Sequence, residues 1–199
     1  MTTTEKLPMV TRADWIPGPK QGWWTYSDYA ALPADGRQYE IVNGVLYMAP
    51  SPSTEHQKIA GRFFYYLFTH VELAGLGSVL SAPTDVVLSP IDVFQPDVLV
   101  ILNAGLEKIK ELQVVGAPDL VVEVASPSTS THDRNKKYRV YAKAGVTEYW
   151  IADPGTRTVE LLVLEGNDYH SLGIFRGQAT LPSRAVPGIA EVHVEQFFA

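Results

Sequence analysis

The chain has 199 residues, 46% of them hydrophobic and 19% charged, enough apolar material for a sizeable buried core in one domain. Its formal net charge of −6 argues against a protein that coats nucleic acid through a generally basic surface, and the absence of cysteine excludes disulfides and thiolate-bound zinc. The N-terminal MTTTEKLPMV offers no apolar core for a signal peptide, and no run approaches the roughly 18 apolar residues that span a bilayer, so a cytoplasmic protein without membrane contact is expected.

Residues 1–24, with Pro8, Pro17, Gly18 and Pro19, predict an irregular arm ending in Trp23-Trp24. Thr25 followed by Asp28 has the spacing of a capping box for a short helix to about Leu32. In QYEIVNGVLYM, Asn43-Gly44 joins two apolar runs and predicts a hairpin. Residues 55–74 read as a long helix capped by Ser53 or Thr54, with Ile59, Phe63, Tyr66 and His70 on one face and Leu67 beside them. Strands are expected over 78–88 (SVLSAPTDVVL), 93–102 (VFQPDVLVIL) and 119–125 (DLVVEVA). A second helix over 132–144, a strand over 147–152 and, past the Asp153-Pro-Gly turn, the strand TVELLVLEG follow. The order predicts an α/β or α+β fold, a central mixed sheet flanked by helices. Ser-Pro-Ser-Thr stands at 51–54 and again at 126–129, each copy between a strand and a helix, and helix capping accounts for both.

The informative residues are acids in apolar strands. Alternation puts Asp119, Val121, Glu123 and Ala125 on one face, with Leu120, Val122 and Val124 opposite. Asp97 shares a face with Leu99 and Ile101. Each acid alone has an ordinary reading: Asp97 as a strand-entry residue after Pro96, Glu123 as half of an internal ion pair. Together, on adjacent strands, they would repel by about 4 kcal/mol at 4 Å and an effective dielectric near 20. A divalent cation removes that repulsion, and carboxylate donors favour Mg²⁺, with Mn²⁺ as a substitute, over zinc. On the second helix, Asp133, Lys137, Val140, Tyr141 and Ala144 form one stripe, so Lys137 points inward and Lys136 lies on the flank. Arg134, Lys136, Lys137, Arg139 and Lys143 could also be a solvated basic face or a basic groove. Tyr138 and Tyr141 read as packing residues.

Gln95-Pro96-Asp97 followed by Glu123-Val124-Ala125 resembles the PD-(D/E)XK nuclease pattern, in which two acids hold Mg²⁺ and a lysine assists. The longer strings YEIVNGVLYMAPSPSTEHQ, TDVVLSPIDVFQPDVLV and APDLVVEVASPSTSTHDRNKKYRVYAKAGVTEYWIADP are similar to the Uma-type family of putative restriction endonucleases in that superfamily, from about Trp24 to beyond Leu164. One departure stands out: the simplest pattern puts its lysine two residues after the second acid, where this chain has Ala125. In the Uma-type family that lysine lies on the following helix, as Asp133-x-x-x-Lys137 does here. The resemblance implies a single restriction-endonuclease-like domain over 25–199 and Mg²⁺-dependent cleavage of nucleic acid, DNA in the first place. It also implies ligands Asp97, Glu123 and the Val124 carbonyl, Lys137 as the assisting lysine with Lys136 as rival, and a further site glutamate, Glu40. Glu40 reads equally as a hairpin-edge residue in solvent. His56, Asp85 and Gln95 are secondary candidates, His56 also fitting a helix-start residue with a backbone partner. A homodimer follows if both strands of a duplex are cut. Two other readings stay open, a noncatalytic binding or assembly module that keeps the fold and a hydrolase of small phosphodiesters.

Overall fold

The computed structural model describes residues 10–125 and 131–199, and the side chains of all of these except 131–135. The expected cap at 126–129 and the side chain of Asp133 lie outside the described residues. Two six-stranded mixed sheets, rather than one, form the framework.

The first sheet begins in the arm. Strand β1 (Thr11–Arg12) pairs with Met48 and Tyr47, and Ala13 and Trp24 are buried, so the arm is irregular only in part. A two-residue strand carries no period for a sequence pattern to reveal. Helix α1 (Tyr26–Ala30) opens with the expected capping box between Thr25 and Asp28. Strands β2 (Gln38–Val42) and β3 (Val45–Ala49) form the expected hairpin, with Asn43 and Gly44 both at positive φ as a tight two-residue turn requires. Helix α2 (Thr54–Leu67) starts at Ser53, whose side chain accepts the His56 N–H, and runs on as a π-helical turn over Phe68–Glu72.

The runs 78–88 and 93–102, each expected as one strand, are each two. β4 (Gly77–Ser81) and β5 (Asp85–Ser89) flank Pro83, and β6 (Asp92–Phe94) and β7 (Val98–Leu102) flank Pro96. Proline has no N–H for a ladder, and at both breaks the chain changes sheet. Strand β8 (Gln113–Val115), after a 3₁₀ segment over Asn103–Lys108, completes the first sheet in the order β1-β3-β2-β6-β5-β8.

The second sheet holds β9 (Leu120–Val124), followed by helix α3 (Thr131–Ala144), then β10 (Glu148–Asp153), β11 (Thr158–Glu165) and β12 (Asp168–Arg176), in the order β12-β11-β10-β9-β7-β4. β9 runs antiparallel to β7, with Val122 opposite Val98, and parallel to β10, with Ile151 beside Glu123. The expected alternation holds. Val98, Val100, Val122 and Val124 pack with Ile59, Phe63 and Leu67 of α2, while Leu99, Ile101 and Val121 pack with Val140 and Tyr141 of α3. That second cluster also takes Val42, Val86 and Phe94 from the first sheet, so the two sheets share a core. Two short 3₁₀ segments over Pro187–Glu191 and Val194–Phe198 close the chain, the latter stacking Phe197 on Phe63 with centroids 4.2 Å apart.

Candidate functional site

Pro96 places Gln95 and Asp97 where the chain crosses from the first sheet to the second. Around this seam the fold brings together β2 of the first sheet, β9 of the second, α3 and the first turn of α2. Glu123 is one residue from the end of β9, on the α3 face that alternation assigned to it. Lys137 sits two turns into α3 and its Nζ donates to both Glu123 oxygens, at 3.1 and 3.3 Å. The same amine donates to Glu40 Oε1 at 2.9 Å. Glu40 is buried, with 7% exposure, which overturns the reading of a solvated hairpin-edge residue. Its side of β2 faces the seam, and Oε1 accepts a second bond from the Gln95 N–H at 3.2 Å.

Asp97 belongs to the cluster by another route. Its Oδ2 accepts the Val124 N–H at 2.7 Å and stands 3.3 Å from His56 Nε2. The expectation of Lys137 against both acids is therefore met at Glu123, with Glu40 as its other partner, while Asp97 is held by β9 and α2. His56 reaches in because Ser53 fixes the first turn of α2, and its ring, not a backbone partner alone, meets the acid. Lys136 lies on the flank: its Nζ donates to the Tyr47 hydroxyl at 2.8 Å and sits 4.9 Å from that ring centroid.

Asp85 stands one layer away. Its Oδ1 accepts the Tyr29 hydroxyl at 2.7 Å and Gln95 Nε2 at 2.8 Å, so Asp85 and Gln95 form a polar network behind Glu40. Gln95 Oε1 is buried with no hydrogen-bond partner. Two residues of this arrangement escaped the sequence reading. Tyr141, expected only to pack, is fully buried and donates its hydroxyl to Glu123 Oε1 at 2.8 Å. Its signal was its place on the Lys137 stripe one turn further on. Tyr29 had no signal, because its partner lies 56 residues away.

The electrostatics are those of an acidic excess. Burial pushes the Glu123 carboxyl up to about 7, Lys137 only partly opposes this, and Asp97 and Glu40 add to it. Burial works against charge on Lys137, yet Glu123 and Glu40 hold its ammonium well above the usual lysine range. His56 is likewise disfavoured as a cation by burial, but Asp97 and then Glu123 raise it above the ordinary histidine value. Among the described residues no three His, Asp or Glu side chains stand ready as a metal-ligand set. The donors that do meet here are carboxylates on neighbouring strands and the β9 main chain, hard oxygens with no sulfur among them. Three carboxylates, two of them on the Lys137 ammonium and Asp97 on the His56 ring, leave an acidic excess that a small divalent ion suits. The residues match such an ion by donor type and charge, not by a preassembled set of three ligands.

Comparison with known proteins bears on the same elements. The sequence pattern of the Uma2 family, described as "Putative restriction endonuclease", matches residues 26–195, which contain every residue of the cluster. Among solved structures, the crystal structure of a "putative nuclease belonging to DUF820" from Anabaena variabilis ATCC 29413 is similar, with a TM-score of 0.71 and 20% identity over 87% of this chain and 97% of that one. At that identity the likeness is one of fold. A search of curated proteins found no match.

Proposed function

The chain belongs to the Uma2 family, and from that premise we propose that it is a nuclease hydrolysing nucleic-acid phosphodiester bonds, DNA in the first place, with a divalent metal ion. The observation that carries the reading is the meeting of Glu40, Glu123 and Lys137 within hydrogen-bonding distance, beside an Asp97 clamped to the same strand as Glu123. A purely structural ion pair needs one carboxylate per ammonium. Here a second acid shares the amine, and a third, Asp97, stands beside them against His56.

In this reading Asp97, Glu123 and the Val124 carbonyl would hold Mg²⁺, with Mn²⁺ as substitute, and Glu40 would ligate directly or through water. Bound there, the ion would supply Lewis acidity to the phosphoryl oxygen and lower the pKa of the attacking water. Lys137, released from part of its ion pairing, orients that water or offsets charge building on the phosphate. Tyr141 holds Glu123 in register, and His56 keeps Asp97 turned toward β9. The Asp85–Gln95–Tyr29 network fixes the seam that carries Glu40.

Plasmid nicking tests the reading. Wild-type protein with Mg²⁺ or Mn²⁺ should cut, and Asp97→Ala, Glu123→Gln and Lys137→Ala should each lose on the order of 10²-fold or more in rate. Equal cutting by all four proteins rules the assignment out. Calorimetric titration with Mn²⁺ separates it from a noncatalytic module, which has no need to bind the ion.

A further inference from the structure

In the basic run of α3, Lys137 is turned inward and Lys136 is tied to Tyr47. A different basic feature exists on the α2 side of the second sheet. A cavity of about 350 Å³ is lined there by Lys58 and Arg62 of α2 and by Arg157 of the β10–β11 turn, with Phe198 and Pro154 as apolar wall and Glu55 as the acidic side chain. Lys58 and Arg62 are one helical turn apart and so share a face. Among the described residues none of the three cations is in an ion pair. On a chain of net charge −6, three cations line one opening together with a single acidic side chain, Glu55.

We propose that this cavity receives the phosphate backbone of the nucleic-acid strand on one side of the cleavage site. Its position is the first argument. Glu55 and Lys58 lie in the first turns of α2, as does His56, whose ring meets Asp97 on another face of the same helix. Pro154 follows Ala152, which pairs with Val124 and whose carbonyl accepts the Ala125 N–H. The opening therefore borders the end of β10, which lies beside the end of β9 that presents Glu123. The second argument is Arg157 itself. It holds φ +53° in the turn after β10, a conformation that a glycine or asparagine adopts at less cost. Asp153 Oδ1 ties this turn by accepting the Gly155 and Thr156 N–H groups, so the guanidinium leaves from a fixed base. A cation at a position that favours glycine is a stability cost that serves the surface facing the cavity. Guanidinium groups bind phosphate oxygens in pairs, and the apolar wall accepts a sugar or base face.

The inference rests on the nuclease reading for its substrate, but its test is binding rather than cutting. A labelled oligonucleotide is titrated by fluorescence anisotropy in Ca²⁺ at several salt concentrations, against wild type, Arg157→Gly, Arg62→Ala, the double variant, and Lys110→Ala as a remote charge control. Arg157→Gly is expected to melt no lower than wild type, because glycine relieves the backbone, while binding weakens on the order of tenfold. Each variant should flatten the log–log salt dependence by about 0.7–0.9 and the double variant by about twice that, with the control unchanged. Unchanged affinity and slope in the double variant overturn the proposal, as does a wild type with no salt-dependent binding. Plasmid nicking reads the other assignment separately: a wild type that binds through these arginines yet never cuts removes the nuclease and leaves the cavity's role standing.

Discussion

Glu123 and Glu148 are both glutamates inside apolar strands, and the physical difference between them defines the site. Glu148 is wholly buried and has its needs met by neutral donors: Trp150 Nε1, Ser183 Oγ and the N–H groups of Arg184 and Ala185, at 2.6–3.0 Å. Glu123 instead faces a lysine, a tyrosine and two more acids, and its carboxyl rises to about 7. That shift has a consequence for stability. An acid whose folded pKa lies above its unfolded value takes up more protons when folded, so its contribution is complete below about 4.5 and is lost as pH rises through about 7. His56, raised in the folded state, acts in the same direction: its contribution is full below its ordinary value near 6.5 and declines above it. Metal-free protein in a chelator should therefore lose stability as pH rises from about 4.5 through about 7. Glu123→Gln should flatten most of that slope, as read by urea denaturation across the range. A variant whose pH dependence matches wild type would contradict the assigned burial of Glu123.

Elements, rather than single residues, explain why distant groups meet. The hairpin, the caps at Thr25 and Ser53 and the face assignment of β9 follow from local chemistry, and the structure keeps them. What local chemistry missed is that Pro83 and Pro96 mark changes of sheet as well as strand ends, which is how β2 and β9 come to share one lysine. The C-terminal segment was equally illegible, because its attachment is one buried carboxylate receiving four donors, three of them at Ser183, Arg184 and Ala185. Glu148→Ala should strand those donors and lower stability by about 3 kcal/mol or more, measured by denaturant unfolding, since each unsatisfied buried donor costs about 1–3 kcal/mol. A loss within about 0.5 kcal/mol would show that the segment is held by Phe197 and its neighbours alone.

At the scale of the molecule, two sheets share a core and leave Glu40, Asp97 and Glu123 at the seam between them. Mn²⁺ binding at that seam should stabilise the folded chain through mass action, by about 2.7 kcal/mol at a hundredfold excess over Kd. The gain should appear as a higher Tm for wild type and vanish in Asp97→Ala. An equal rise in both proteins would place the ion elsewhere.

The amino-acid order alone determined the type of the longer helices and central strands, the inward face of α3, and Asp97 and Glu123 as candidate acids, because strand and helix periods and capping spacings act over a few residues. Only the tertiary structure decided that Lys137 joins Glu40 to Glu123 while Asp97 turns to His56, that Lys136 is spent on Tyr47, and that Glu148 is scaffold. Those outcomes depend on which donors and charges arrive from far along the chain, and burial makes a carboxylate's character a property of its neighbours.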